Sequence, residues 1–132
     1  HEETILLVED EAEVRELVCA ILEANRYKVV VAASGDEAIE LWDQHDGRFD
    51  LLLSDVVMPG GMNGCELART FRKRNPSLKI ILSSGYTPET IGSPEDEPGV
   101  SFLAKPYPPQ DLVRLVRQCL DQTAADSTAS GQ

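Results

Sequence analysis

Five short apolar runs divide the chain, and each is the length of a strand. They hold five to seven residues apiece and are rich in leucine, isoleucine or valine, which is typical of strands buried on both faces of a sheet. The predicted strands are TILLV (4–8), YKVVVAA (27–33), FDLLLSD (49–55), LKIILSS (78–84) and GVSFLAK (99–105).

Between most of these runs, apolar residues recur every three or four positions, as they do along one face of a helix. Ser34 and Glu37 have the spacing of a capping box and open the second predicted helix. The third helix is predicted from about Cys65 to Arg74. The apolar stripes of the other helices are Val14, Leu17, Val18, Ile21 and Leu22 in the first, Ala38, Leu41 and Trp42 in the second, and Leu112, Leu115, Val116, Cys119 and Leu120 in the last.

Two stretches lack a regular pattern. Residues 87–99 contain three Pro and two Gly, which predicts a short or broken fourth helix. Residues 122–132 have no periodicity and are rich in Ser, Thr, Ala and Asp, which predicts a disordered tail. We therefore expect one domain over residues 4–121 with a C-terminal tail.

Strands that alternate with helices predict the α/β class. Such a chain forms a five-stranded parallel sheet with right-handed crossovers and helices on both faces. In open sheets of this kind, ligands bind at the carboxyl ends of the strands, near the point where the strand order reverses.

Length, hydropathy and charge disfavour several classes of function for this chain. A chain of 132 residues is long enough for one real core, and no apolar stretch approaches the roughly 20 residues that cross a membrane. The net charge of −11 repels nucleic-acid phosphates and anionic lipid. Because no secretory signal opens the chain, we expect a cytoplasmic protein with its cysteines, Cys19, Cys65 and Cys119, reduced and packed in the core.

The carboxyl ends of the predicted strands bring together several polar side chains. Glu9 and Asp10 follow strand one, and Asp55 ends strand three. Ser84 ends strand four, and Lys105 ends strand five. Three carboxylates at one edge repel one another unless a cation lies between them. Mg²⁺ prefers such oxygen ligands and keeps open positions that phosphoryl oxygens can take.

These groups together suit phosphoryl transfer, in which Lys105 and Ser84 neutralise and orient the phosphoryl oxygens. Asp55 then acts as a carboxylate nucleophile that forms an acyl phosphate. Singly, each residue has a simpler interpretation, since acids after a strand commonly cap helices and an Asp before a Pro-Gly loop is typical of a turn. Their occurrence on four strands in the same sense favours a phosphoryl acceptor.

The segments ILLVEDE, DLLLSDVVMPGGMNGCEL, IILSSGY and FLAKPY resemble the receiver domain of two-component response regulators. The resemblance spans residues 4–121 and implies a flavodoxin-like sheet of order 2-1-3-4-5. It implies that Mg²⁺ is held by Glu9, Asp10, Asp55 and the backbone carbonyl of Val57.

The resemblance also assigns the remaining roles. Asp55 is the phosphoacceptor, Ser84 and Lys105 bind the phosphoryl group with Gly85 beside them, and Ser84 and Phe102 form the conformational switch. The implied partner is a histidine kinase or a histidine phosphotransfer protein, whose phosphohistidine supplies the phosphoryl group. The domain would catalyse its own phosphorylation and dephosphorylation without a kinase catalytic domain in this chain.

Hydrolysis of the phosphoryl group is expected to be slow for the family. Val57 and Tyr86 flank the expected site and offer no carboxylate or amide that could orient an attacking water. The loop MPGGMNG is one residue longer than the commonest family pattern and, with SSGYTPE and FLAKPYPPQDL, is similar to receivers at the C-terminus of hybrid sensor histidine kinases. We expect a stand-alone receiver or one excised from such a kinase, and we favour the latter.

Two other functions stay open. A pseudo-receiver would bind partners without phosphorylation, which the complete set of five site residues disfavours. A Mg²⁺-dependent phosphatase with an aspartyl nucleophile commonly has a second Asp two residues further on, where this chain has Val57. The oligomeric state and the stimulus are not predicted.

Overall fold

A computed structural model describes residues 3–56, 63–84, 100–104 and 107–130. For Ser84, Phe102, Ala104 and residues 122–130 it describes the backbone only.

The five predicted strands form one parallel sheet. Their observed bounds are Thr4–Val8 (β1), Lys28–Ala32 (β2), Leu51–Asp55 (β3), Lys79–Ser84 (β4) and Val100–Ala104 (β5). All four strand pairs are parallel, and the order is β2-β1-β3-β4-β5. This confirms the predicted fold class and strand order, and it places the reversal of strand order between β1 and β3.

Four helices occur among the described residues: Ala12–Ala24 (α1), Gly35–Gln44 (α2), Gly64–Arg74 (α3) and Pro109–Ser130 (α4). None of the described helices combines the length and apolar character that a membrane crossing requires.

Alternate residues of the central strands pack into two separate cores, because successive side chains of a strand point to opposite faces. Leu6 and Leu52 belong to the core that contains residues of α2 and α3, including Trp42 and Phe71. Leu7 and Leu53 belong to the core that contains residues of α1 and α4. The sheet is therefore covered by helices on both faces, as the strand-helix alternation predicts.

The ring of Trp42 joins three elements on the α2 and α3 side. It stacks on Phe71 with ring centroids 4.3 Å apart and on Phe49 with centroids 5.5 Å apart. All three rings are buried, and Phe71 is fully so. This aromatic stack ties α2 and α3 to the chain that leads into β3.

Helix caps agree with the sequence in part. The Ser34 hydroxyl accepts a hydrogen bond from the Glu37 amide, as predicted, but the Glu37 carboxylate accepts from the amide of Ala33 rather than that of Ser34. A reciprocal capping box opens α3 instead, between Asn63 and Glu66. That helix therefore begins at a fixed point, directly before the residues that approach β3.

The C-terminal segment differs from its prediction. The backbone of residues 122–130 continues α4, where the sequence predicts a disordered tail. The segment QTAADSTAS holds three alanines and no Gly or Pro before Gly131. Since extension of an existing helix needs no new nucleation and Ala favours helix strongly, the helix propagates. The predicted broken helix in residues 87–99 lies outside the described residues.

Single side chains also depart from the predicted pattern. Leu17 belongs to the predicted apolar stripe of α1 yet is 61% exposed, and it lines an open groove together with Tyr107 and Pro109. None of the three cysteines forms a disulfide; Cys65 and Cys119 are buried as predicted, whereas Cys19 is only half-buried. Burial raises the pKa of the Cys119 thiol, which keeps it protonated.

Replacement of Phe71 by Ala should lower the free energy of unfolding by about 3–5 kcal/mol, since it leaves a cavity and removes the ring on which Trp42 stacks. Urea unfolding followed by tryptophan fluorescence measures this. The control, Leu17→Ala, removes an exposed side chain and should change stability by no more than about 0.5 kcal/mol. Equal losses in the two variants would contradict the assigned core.

Candidate functional site

Three acidic side chains meet where β1 and β3 end. Val8 lies beside Ser54 in the parallel register, so the residues that follow these two, Glu9 and Asp55, lie side by side at the edge of the sheet. Asp10 comes next in the chain. One carboxylate oxygen from each of Glu9, Asp10 and Asp55 lies within 4.8 Å of the other two.

Two members of this acidic cluster, which comprises Glu9, Asp10 and Asp55, are withdrawn from water. Glu9 is 4% exposed and Asp55 is 6% exposed, while Asp10 is half-buried. Two unit charges 4.8 Å apart repel by about 3 kcal/mol at an effective dielectric constant of about 20. A compact sheet that holds such a cluster therefore favours binding of a cation.

The donor set fits a small divalent ion. Mg²⁺ takes oxygen ligands at about 2.0–2.1 Å in an octahedron, which sets neighbouring ligands about 3 Å apart and opposite ones about 4 Å apart. The carboxylate oxygens of the three acids lie within 4.8 Å of one another, which is near this spacing. Glu9, Asp10 and Asp55 are the residues that would hold the ion.

Glu9 is held from three sides. Its amide donates to the carbonyl of Ala32 in β2 at 3.0 Å, and its carboxylate accepts from the amide of Glu11 at 3.2 Å. Its carbonyl accepts from the guanidinium of Arg15, one turn into α1, at 2.8 Å. Glu11 occupies the N-cap of α1 but its own side chain makes no capping bond. Arg15 was not predicted as a site residue, because a hydrogen bond to a backbone carbonyl leaves no sequence pattern.

The backbone at Asp55 is fixed as closely. The hydroxyl of Ser54 donates to the carbonyl of Asp55 at 2.8 Å, and the amide of Val56 donates to the carbonyl of Ser83 at 2.9 Å. The amide of Gly64 donates a hydrogen bond to the carbonyl of Val56 at 2.8 Å. These bonds bring the first turn of α3 against the end of β3.

Gly64 is required by that approach. A Cβ atom at this position would lie 2.0 Å from the carbonyl oxygen of Asp55, well inside contact distance, and the obstacle is backbone that cannot rotate away. Only glycine lets α3 begin so close to Asp55. The position of the acid and the start of the helix are thus set by one contact.

Ser83 lies next to Asp55 on β4 and was not predicted as a site residue. The two are paired in the parallel register of β3 and β4. Ser83 is 3% exposed, and its hydroxyl has no hydrogen-bond partner among the residues the structure describes. A polar residue within the apolar run LKIILSS was the available signal, but its facing depends on a register that the sequence does not give.

The other predicted site residues are placed only in part. Ser84 is the last residue of β4 and pairs with Ala104, while Phe102 lies in β5 opposite Leu82. The predictions for Val57, Gly85 and Lys105 fall outside the described residues. The structure thus brings together the three acids, whereas the hydroxyl, lysine and switch assignments stay predictions.

Neutralising Asp10 should raise the free energy of unfolding in chelator by about 1 kcal/mol, because it removes one of three mutually repelling charges. In excess Mg²⁺ the order should reverse, since Asp10→Asn loses a metal ligand. Thermal unfolding of Asp10→Asn in the two buffers measures both effects. The control is Glu40→Gln, which makes the same charge change at an exposed position of α2. If both variants behave alike in both buffers, the cluster has no electrostatic cost and binds no metal.

Comparison with known proteins covers nearly the whole chain. The sequence profile of the response regulator receiver domain matches residues 5–117. The sensor kinase CckA of Brucella abortus (strain 2308) is 40% identical over 121 residues, which make up 90% of this chain. Those residues are 13% of that protein, so the chain corresponds to a small part of this relative.

Two solved structures are similar in sequence and fold. The receiver domain from the hybrid histidine kinase CckA is 38% identical, with a TM-score of 0.76 over 89% of this chain and 98% of that one. The response regulator protein TrrA from Thermotoga maritima, in complex with Mg²⁺ and BeF, is 30% identical, with a TM-score of 0.77 over 89% of this chain and 99% of that one. Because the family profile spans most of its length and the sheet has the predicted order, this chain belongs to the response regulator receiver domain family.

Proposed function

We propose that this chain is the phosphoacceptor of a two-component phosphorelay, with Asp55 as the acceptor and Mg²⁺ as the required ion. The observation that supports this most directly is the acidic cluster at the reversal point of the sheet, in which Asp55 is buried. Family membership supports a role in two-component signalling, and the TrrA complex with Mg²⁺ and BeF supports the choice of metal.

In the proposed reaction, a carboxylate oxygen of Asp55 attacks the phosphorus of a partner's phosphohistidine. An O–P bond forms as the N–P bond breaks, and the released imidazole takes up a proton. Hydrolysis later breaks the bond between the Asp55 oxygen and phosphorus, which returns the carboxylate and releases inorganic phosphate. A bound divalent ion would supply positive charge against the acids and the phosphoryl oxygens.

The fixed backbone of this chain supports that chemistry. Asp55 cannot withdraw from its position, because Ser54, Val56 and Gly64 hold the chain on both sides of it. A nucleophile whose backbone is held in this way loses little backbone freedom when the phosphoryl donor arrives, which lowers the entropic part of the barrier.

Further roles in the proposal rest on the sequence resemblance. Ser84, Gly85 and Lys105 bind the phosphoryl group, the carbonyl of Val57 completes the metal site, and Ser84 with Phe102 forms the switch. The partner is a histidine kinase or a histidine phosphotransfer protein. Similarity to the CckA receivers supports a hybrid histidine kinase as the parent protein. The cytoplasmic location expected from the sequence stays a prediction.

Incubation with Mg²⁺ and acetyl phosphate should add one phosphate to the chain, and Asp55→Asn should abolish the addition. Intact mass measures the adduct, and hydroxylamine should remove it because it is an acyl phosphate. The matched control is Asp46→Asn, since Asp46 has a φ of 56° that Asn tolerates well and lies in the turn after α2. An adduct that persists in Asp55→Asn would exclude Asp55 as the acceptor.

Two other results of the same experiment would favour the alternatives. Absence of any adduct while Mg²⁺ still raises the unfolding temperature would favour a pseudo-receiver. Rapid turnover of unrelated phosphate esters by the wild-type chain would favour a phosphatase.

The phosphorylated chain should lose its phosphate slowly, and Val57→Asn should shorten the half-life severalfold by giving water an amide to orient it. The decay of the adduct after removal of acetyl phosphate, followed by intact mass, measures this. The isosteric control is Val57→Thr, which adds a hydroxyl but no amide. A longer half-life in Val57→Asn would contradict the assignment.

A further inference from the structure

Ser83 is the β4 residue that pairs with the proposed phosphoacceptor, Asp55. Ser83 and Asp55 are partners in the parallel register of β4 and β3, and strands in a sheet lie about 4.8 Å apart. Residues directly opposite each other on neighbouring strands point to the same face of the sheet. The side chains of Ser83 and Asp55 therefore project to the same face of the sheet, which is the face covered by α1 and α4.

This hydroxyl is buried without a partner. Ser83 is 3% exposed, and within the described part of the chain nothing accepts from or donates to its oxygen. Buried hydroxyls in folded proteins are nearly always hydrogen-bonded, since an unpaired one loses its bonds to water and gains nothing in return. An exception at this position needs an explanation.

The neighbours of Ser83 in the sheet indicate which group its hydroxyl can bind. Leu103 is its register partner on the β5 side, and Ile81 is the previous residue of β4 on the same face; both are apolar. Asp55 is thus the polar partner of Ser83 in the register of the described strands. Ser54 offers a contrast, because its hydroxyl is equally buried but already donates to the carbonyl of Asp55.

We propose that the Ser83 hydroxyl is a phosphoryl-binding donor, which gains its hydrogen-bond partner when oxygen atoms are added at Asp55. The inference rests on the proposed function and deepens it, since it adds a second serine to the phosphoryl site beside the predicted Ser84. In the unmodified chain the hydroxyl is unpaired and lowers stability. In the phosphorylated chain it donates to a phosphoryl oxygen and stabilises that state.

This difference between states gives the proposal a distinctive signature. A group that interacts with only one of two states shifts the equilibrium between them. Removal of the hydroxyl should therefore stabilise the unmodified chain and weaken the phosphorylated one. A residue with a merely structural role would change the stability of both in the same direction.

The experiment uses beryllofluoride with saturating Mg²⁺ as the phosphoryl analogue. Ser83→Ala should bind beryllofluoride about tenfold more weakly by calorimetry, which corresponds to one hydrogen bond to a charged group. Its thermal midpoint without analogue should rise by a few degrees. The acetyl phosphate adduct of Ser83→Ala should also decay faster than that of wild type. Ser83→Thr, which keeps the hydroxyl, should restore the affinity.

Ser101→Ala is the matched control. Ser101 is the partner of Ile81 in β5, one pair further from the site on the same face, and its hydroxyl contacts the thiol of Cys119 at 3.6 Å. This variant should leave beryllofluoride affinity within twofold of wild type. Equal affinity in Ser83→Ala and wild type would overturn the inference and leave the proposed function intact. A wild-type chain that neither binds beryllofluoride nor forms an adduct at Asp55 would overturn both.

Discussion

The parallel pairing of β1 with β3 brings carboxylates close together at a buried position, where water screens their charges only in part. Glu9 and Asp55 lie side by side at the ends of these strands, and two unit charges 4.8 Å apart repel by about 3 kcal/mol at an effective dielectric constant of about 20. The same pairing buries Leu6 and Leu52 completely, and each buried leucine contributes about 1.5–3 kcal/mol. Apolar burial along the strands therefore offsets repulsion at their ends, and the fold holds a site that is unfavourable by itself.

Around that site, the backbone is fixed before any ligand binds. Glu9 is bonded to β2 and to α1, and the chain after Asp55 is bonded to β4 and to the start of α3. Gly64 packs against the carbonyl of Asp55, where no larger residue would fit. Side-chain rotation, rather than backbone movement, is thus the adjustment that the acids need to bind an ion.

The sequence predicts the fold closely because its signals are local. The apolar run of β1 ends at Val8 where the acids begin, and the predicted bounds match the observed ones. Features that depend on tertiary contact were missed. The contact between Arg15 and a carbonyl, and the facing of Ser83, follow from register and packing that no single segment encodes. The helical backbone beyond residue 121 follows from the packed helix before it, which residues 122–130 could not reveal alone.

The aromatic stack on the opposite face has a practical meaning for spectroscopy. Trp42 is the single tryptophan of the chain, and it lies 4% exposed between Phe49 and Phe71 in the core on the far side of the sheet from Glu9 and Asp55. Its fluorescence emission will change when the native core is lost. It will change little when the acidic cluster binds a ligand. A probe of ligand binding has to be introduced elsewhere in this molecule.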